Sequence, residues 1–142
     1  MEFKLIFLPV IAGIIAQIIK LIIDAIHGKF SWRDLNSYGG MPSAHAAFVT
    51  ALVASIGYYE GWSHPATAIA FVLSIIIMRD ATGYRRVIGR HAEELNNVIH
   101  SLPGNESYKY PHLTERIGHT PLQILIGAAI GVLVVIIYSL IF

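Results

Sequence analysis

The sequence predicts an all-α integral membrane bundle of four transmembrane helices, with an amphipathic helix in the loop between spans three and four. Three observations predict it. Of the 142 residues, 55% are hydrophobic and only 13% charged, and the mean hydropathy of +0.61 is too high for an ordinary soluble fold. Four apolar segments reach or approach the roughly 20 residues that a helix needs to cross hydrocarbon. Between them the polar residues collect in two loops, leaving almost no tails. The chain 1–142 therefore reads as a single membrane-embedded domain.

The first span covers residues 3 to 26. It has no small-residue cleavage site, and Gln17, Lys20 and Asp24 punctuate its second half, so it reads as a retained helix and not as a signal peptide. Residues 43 to 59 form the second span, opened by Pro42 and Ser43, a common helix start. The turn "YYEGWSHP" follows, with Gly and Pro as breakers and Tyr and Trp as interfacial anchors. The third span, 65 to 78, is the shortest; it extends through Arg79 and Asp80, which then face the bundle interior. In "YRRVIGRHAEELNNVIHSL" apolar residues recur among charges, which fits an amphipathic helix on the membrane surface or against the bundle. A loop then leads to Thr120 and Pro121, a second helix start, and the last span runs from 120 to 142.

An even number of spans puts both termini on one side. Only Lys4 of the ten Lys and Arg lies there, while nine lie on or near the loop side; setting aside Lys20, Arg33, Arg85 and Arg86 for chemistry still leaves five against one. The positive-inside rule then turns the loops toward the cytoplasm. The net charge of +1 carries no nucleic-acid signature, and the absence of cysteine excludes disulfides and thiol chemistry. The seven histidines show no His-x2-His or His-x3-His spacing, so no metal site and no cofactor is expected.

The chemically suggestive residues all fall on the loop side. Lys20 closes span one, Ser43 and His45 open span two, Asp80, Arg85 and Arg86 close span three, and His119 opens span four. Helix starts present unpaired N–H groups and a positive dipole end, and Arg forks and a Lys favour a phosphate there. Two imidazoles on opposite sides of a bound phosphate could attack phosphorus and protonate the leaving oxygen. Each residue also has a plainer role: Ser43 and Thr120 as caps, the arginines as headgroup contacts, the surface histidines as solvated groups, and Gly127-x3-Gly131 as close helix packing.

Four stretches in order, "AQIIK", "GGMPSAH", "RDATGYRR" and "GHTPLQILIGA", resemble the type 2 phosphatidic acid phosphatase and vanadium haloperoxidase superfamily, and most of all its small divergent bacterial and plant branch. The likeness covers nearly the whole chain. It implies a metal-independent phosphatase-like domain acting on a membrane lipid phosphate or diphosphate, of polyprenyl or phosphatidate type, in the bacterial cytoplasmic membrane. Carried across, His119 is the nucleophile that forms a phosphohistidine and His45 the acid for the leaving group. Lys20, Ser43 and one of Arg85 and Arg86 are the implied phosphate binders.

The chain departs from the superfamily pattern at three places. Where the first motif ends in Arg-Pro it has His27 and Gly28, leaving Arg33 as the substitute; Leu113 stands where an Arg precedes the nucleophile; and Gln123 replaces the acid that orients it. An amide orients an imidazole without stabilising its cation, and Asp80 is the residue that could supply the charge. Two alternatives stay open. Arg85-x5-His91 matches the superfamily's Arg-to-His spacing, making His91 a rival nucleophile, and a non-enzymatic phospholipid-binding or transport protein would keep the same anion pocket. Four spans are fewer than the six common in the superfamily, so a homo-oligomer is also an expectation, with the glycines of span four as a contact.

Overall fold

The computed structural model describes residues 3–28, 39–101 and 110–142. Five helices follow in order: α1 (Lys4–Ile26), α2 (Ala44–Tyr59), α3 (Pro65–Thr82), α4 (Tyr84–His100) and α5 (Pro121–Ile141). Among the described residues the only β feature is an isolated parallel bridge between Gly39 and Gly118.

Helix α2 is the centre of the bundle and packs against α1, α3 and α5, while α1 also touches α5 and α3 touches α4. Small residues at a spacing of four make this possible. Buried positions run Leu8, Ala12, Ala16, Lys20 on α1, then Ala47, Ala51, Ser55 on α2 and Gly127, Gly131, Val135 on α5. Residues four apart share a helix face. In a lipid environment close backbone approach, not expulsion of water, drives helix association. A β-carbon added to Gly127 would collide with the Ser43 carbonyl, and one on Gly131 with that of Ala47, so α5 rests directly on the α2 backbone. Large apolar side chains such as Ile18, Phe71, Ile76 and Leu133 stay on the outside.

This packing corrects one expectation about the glycines. Gly127 and Gly131 are spent inside the protomer against α2, so they are not a surface for a second copy.

Three stretches are long and apolar enough to cross a membrane: α1, α5, and the run from Pro65 to His100 that joins α3 to α4. At 16 residues α2 falls short of that length. The third apolar helix extends past residue 78 to Thr82, because the break in helix geometry falls at Gly83, whose N–H bonds back to the Arg79 carbonyl at 2.8 Å. The amphipathic helix begins at once beyond it. Its inward face is made of Gly89, Ala92 and Asn96, whereas Val87, Ile88, Leu95 and Val98 are exposed.

Candidate functional site

One end of the bundle gathers the end of α1, the starts of α2 and α5, and the junction of α3 with α4. Lys20 ends the buried stripe of α1 and is only 3% exposed. Its stem lies on Gly40, where a β-carbon would stand 2.9 Å from Cε, and Gly40 has φ 104°. Both the close approach and the left-handed backbone favour glycine there.

Ser43 is fully buried as the N-cap of α2: its Oγ accepts the Ala46 N–H at 3.3 Å, and its own N–H donates to the Gln123 carbonyl at 3.1 Å. The starts of α2 and α5 are thereby tied together. At α5 the Thr120 hydroxyl accepts the Gln123 N–H at 3.4 Å while Gln123 Oε1 accepts the Thr120 N–H at 2.9 Å, a capping box. The expected capping roles of Ser43 and Thr120 are thus observed, and side chains of the chain itself satisfy part of each helix start.

His119, 5% exposed, is held from two directions. Its N–H donates to the Ala81 carbonyl at 2.9 Å, and its Nδ1 lies 3.2 Å from the Gly40 carbonyl. A carbonyl can only accept, so Nδ1 carries the proton and Nε2 keeps the lone pair. Burial lowers the affinity of this imidazole for a second proton below the ordinary histidine value, and the nearby His45 and Lys20 add to the effect, while hydrogen bonds to Gln123 and to Gly40 oppose it.

His45, Asp80, Arg85 and His119 line one chamber with Ile77 and Ala81, of only about 10 Å³. That is near the space of one water. Arg85 Nε donates to Asp80 Oδ2 at 2.6 Å across its wall. Asp80, expected to serve His119, is instead paired with Arg85 and lies within Coulombic reach of His45. The arginine pair diverges, because neighbouring residues of a helix point about 100° apart. Arg86 lines a second cavity of about 250 Å³ with Arg116, Glu115, Gly40, Gln123 and again His119.

The structure thus brings Lys20, His45, Asp80, Arg85 and His119 to one place, with Ser43 and Gln123 in the scaffold beneath them. Arg33 lies outside the described residues. The rival His91 is exposed on α4, away from the chamber that holds His45 and His119. Among the described residues no group of three or more His, Cys, Asp or Glu could hold a metal. Two participants have no sequence signal of their own: the Gly40 carbonyl, visible only as part of a glycine pair, and Arg116, which reads as one more loop cation.

Comparison with known proteins supplies a relative and a family. A Bacillus subtilis (strain 168) protein described as the uncharacterized membrane protein YuiD is 32% identical over 143 residues, covering 92% of this chain and 90% of its own. No solved structure matches. The family model described as the Divergent PAP2 family spans residues 1–134, and the chain, a membrane protein by its apolar helices and its relative, belongs to that family.

Proposed function

We propose that the protein is a metal-independent membrane lipid phosphatase that hydrolyses a lipid phosphate or diphosphate through a phosphohistidine on His119. The observation that carries this reading is the shared chamber of His45 and His119, walled by Arg85 and Asp80. Nε2 of His119 attacks the terminal phosphorus, and the bond to the leaving oxygen breaks; that oxygen, the lipid oxygen of a monophosphate or the bridging oxygen of a diphosphate, takes a proton from His45. Water then attacks the phosphohistidine with His45 as base, releasing inorganic phosphate and restoring His119. Arg85, Lys20 and Arg86 are the phosphate-binding cations, and the Gly40 carbonyl does the orienting that a carboxylate would do. For a phosphate to enter so small a chamber, Arg85 must turn from Asp80 to the substrate.

In this reading α2 crosses the bilayer with the other three, and the site faces the cytoplasm with the lipid tail left in the membrane. Phosphate release from a polyprenyl monophosphate by purified protein tests it. Activity abolished by both His119→Ala and His45→Ala is the expected result, and activity indifferent to both overturns the assignment. The second reading, a lipid-phosphate-binding protein without turnover, is favoured by Gln123, which brings no charge to His119; binding without release at any pH would select it.

A further inference from the structure

The segment that delivers His119 does so by lying across α4. Asn96, on the inward face of that helix and 3% exposed, meets it with three hydrogen bonds. Its Nδ2 donates to the Leu113 carbonyl at 2.9 Å and to Glu115 Oε1 at 2.8 Å, and its Oδ1 accepts the Leu113 N–H at 3.0 Å. A side-chain amide can satisfy the donor and the acceptor of one backbone residue together, as a neighbouring strand would; a carboxylate or a leucine cannot. Two residues further on the contact becomes backbone to backbone. A β-carbon on Gly89 would stand 2.6 Å from the Glu115 carbonyl oxygen and 2.8 Å from that of Ile117. Gly118, at φ 91°, is pressed against the Arg86 backbone, and His119 follows with its bond to Ala81.

We propose that Asn96 is a positioning residue for His119, with α4 acting as a clamp that sets where the imidazole stands in the chamber. The proposal rests on His119 being the reacting group. The segment is pinned at both ends, by Asn96 before the histidine and by α5 after it. Helix α5 is held to α2 through Gly127 and Gly131 independently of the clamp, so releasing Asn96 loosens the histidine while the bundle stays assembled. A misplacement of about 1 Å at a reacting atom can cost on the order of 10²-fold in rate.

The test uses the full chain in proteoliposomes and the variant Asn96→Asp, which keeps the acceptor for the Leu113 N–H but turns an oxygen toward the Leu113 carbonyl and the Glu115 carboxylate. Two readouts are taken: phosphate release from a polyprenyl monophosphate, and ring-nitrogen NMR of His119 without substrate. The expected result is a kcat lower by roughly tenfold or more with KM within about threefold, and a His119 ring that passes from one Nδ1–H tautomer to a mixture. Gly89→Ala, which pushes the segment off α4, should give the same split, and the neighbouring exposed Asn97→Ala should leave both readouts unchanged. A wild-type kcat and a wild-type ring signature in Asn96→Asp and Gly89→Ala overturn the clamp. If the wild-type protein releases no phosphate, the enzymatic reading fails by itself; the ring signature then decides the clamp alone, a single unchanged tautomer in both variants overturning it.

Discussion

In the proposed reading His119 keeps the role of the superfamily's histidine, while Gln123 stands where its acid would be and is engaged elsewhere. The Gly40 carbonyl accepts the hydrogen bond from Nδ1–H at 3.2 Å, and Gln123 spends its Oε1 on the Thr120 N–H at 2.9 Å. Replacing Gln123 by Glu keeps the capping box, since a glutamate accepts the same bond. Gln123→Glu should therefore change stability by no more than about 0.5 kcal/mol in denaturant titration. It should raise the pH of the acid limb of kcat/KM, because a carboxylate stabilises the imidazolium. The sign for the unaltered protein follows the same way. Burial, His45 and Lys20 lower the proton affinity of His119, so its neutral imidazole persists below the ordinary histidine pKa of 6.5. The acid limb of a kcat/KM profile should accordingly have its midpoint below pH 6.5, and a midpoint above it would contradict the environment described for His119. His45 allows a sharper test of role. His45→Ala should lower kcat on a lipid phosphate by about 10²–10⁴-fold, and far less on an aryl phosphate whose leaving oxygen needs no proton. At this scale the caps Ser43 and Thr120 were legible from the chain, each being a hydroxyl before or after a proline at an apolar boundary. The Gly40 carbonyl and Asn96 were not, since a backbone acceptor and a lone amide gain meaning only when tertiary structure brings a partner 79 or 17 residues away.

At the scale of elements, spacing decides which helices touch. The repeated four-residue interval of small side chains puts α1, α2 and α5 in near backbone contact, and at the loop end the same registers deliver Lys20 and Ser43. Gly131→Val places branched carbons against the Ala47 carbonyl and the Ala51 N–H, and Gly127→Val does so at Ser43. Each should destabilise the bundle by about 1–3 kcal/mol or more, read by thermal unfolding in detergent, with any activity lost in step because His119 directly precedes the cap of α5. The apolar runs of α1 and α5 announced themselves by length alone. The seam of α5 against α2 did not, since Gly127-x3-Gly131 signals close packing without naming the surface it meets. For α4 the alternation of charge and hydrocarbon was readable, but its inward face proved to be the small and polar residues Gly89, Ala92 and Asn96.

For the molecule as a whole, opposite ends have opposite character. Lys4 lies 3.9 Å over the Tyr59 ring at one end, and the histidine chamber stands at the other. A chain without cysteine is well suited to single-cysteine labelling. With four crossings, Asn97→Cys should react with an impermeant maleimide only from the cytoplasmic side and Ser63→Cys only from the opposite side. Labelling of both from one side would remove α3, the helix that separates them, from the set of crossing helices. The proposed orientation rests on charge asymmetry in the sequence alone, whereas the divergence of Arg85 and Arg86 into separate cavities depended on how α4 is set at Gly83.

The brevity of α2 has a consequence for the membrane itself. Sixteen residues rise about 24 Å, against a hydrocarbon slab of about 30 Å. In the four-crossing arrangement, with its Tyr-rich end at the lipid boundary, the opposite end stops roughly 6 Å inside the slab. His45 then stands at the floor of a dimple, and the surrounding lipids must thin or tilt to meet it. For the proposed reaction, bilayer thickness would thereby become a control: short-chain lipids shorten the distance a phosphate group must sink, and long-chain lipids lengthen it.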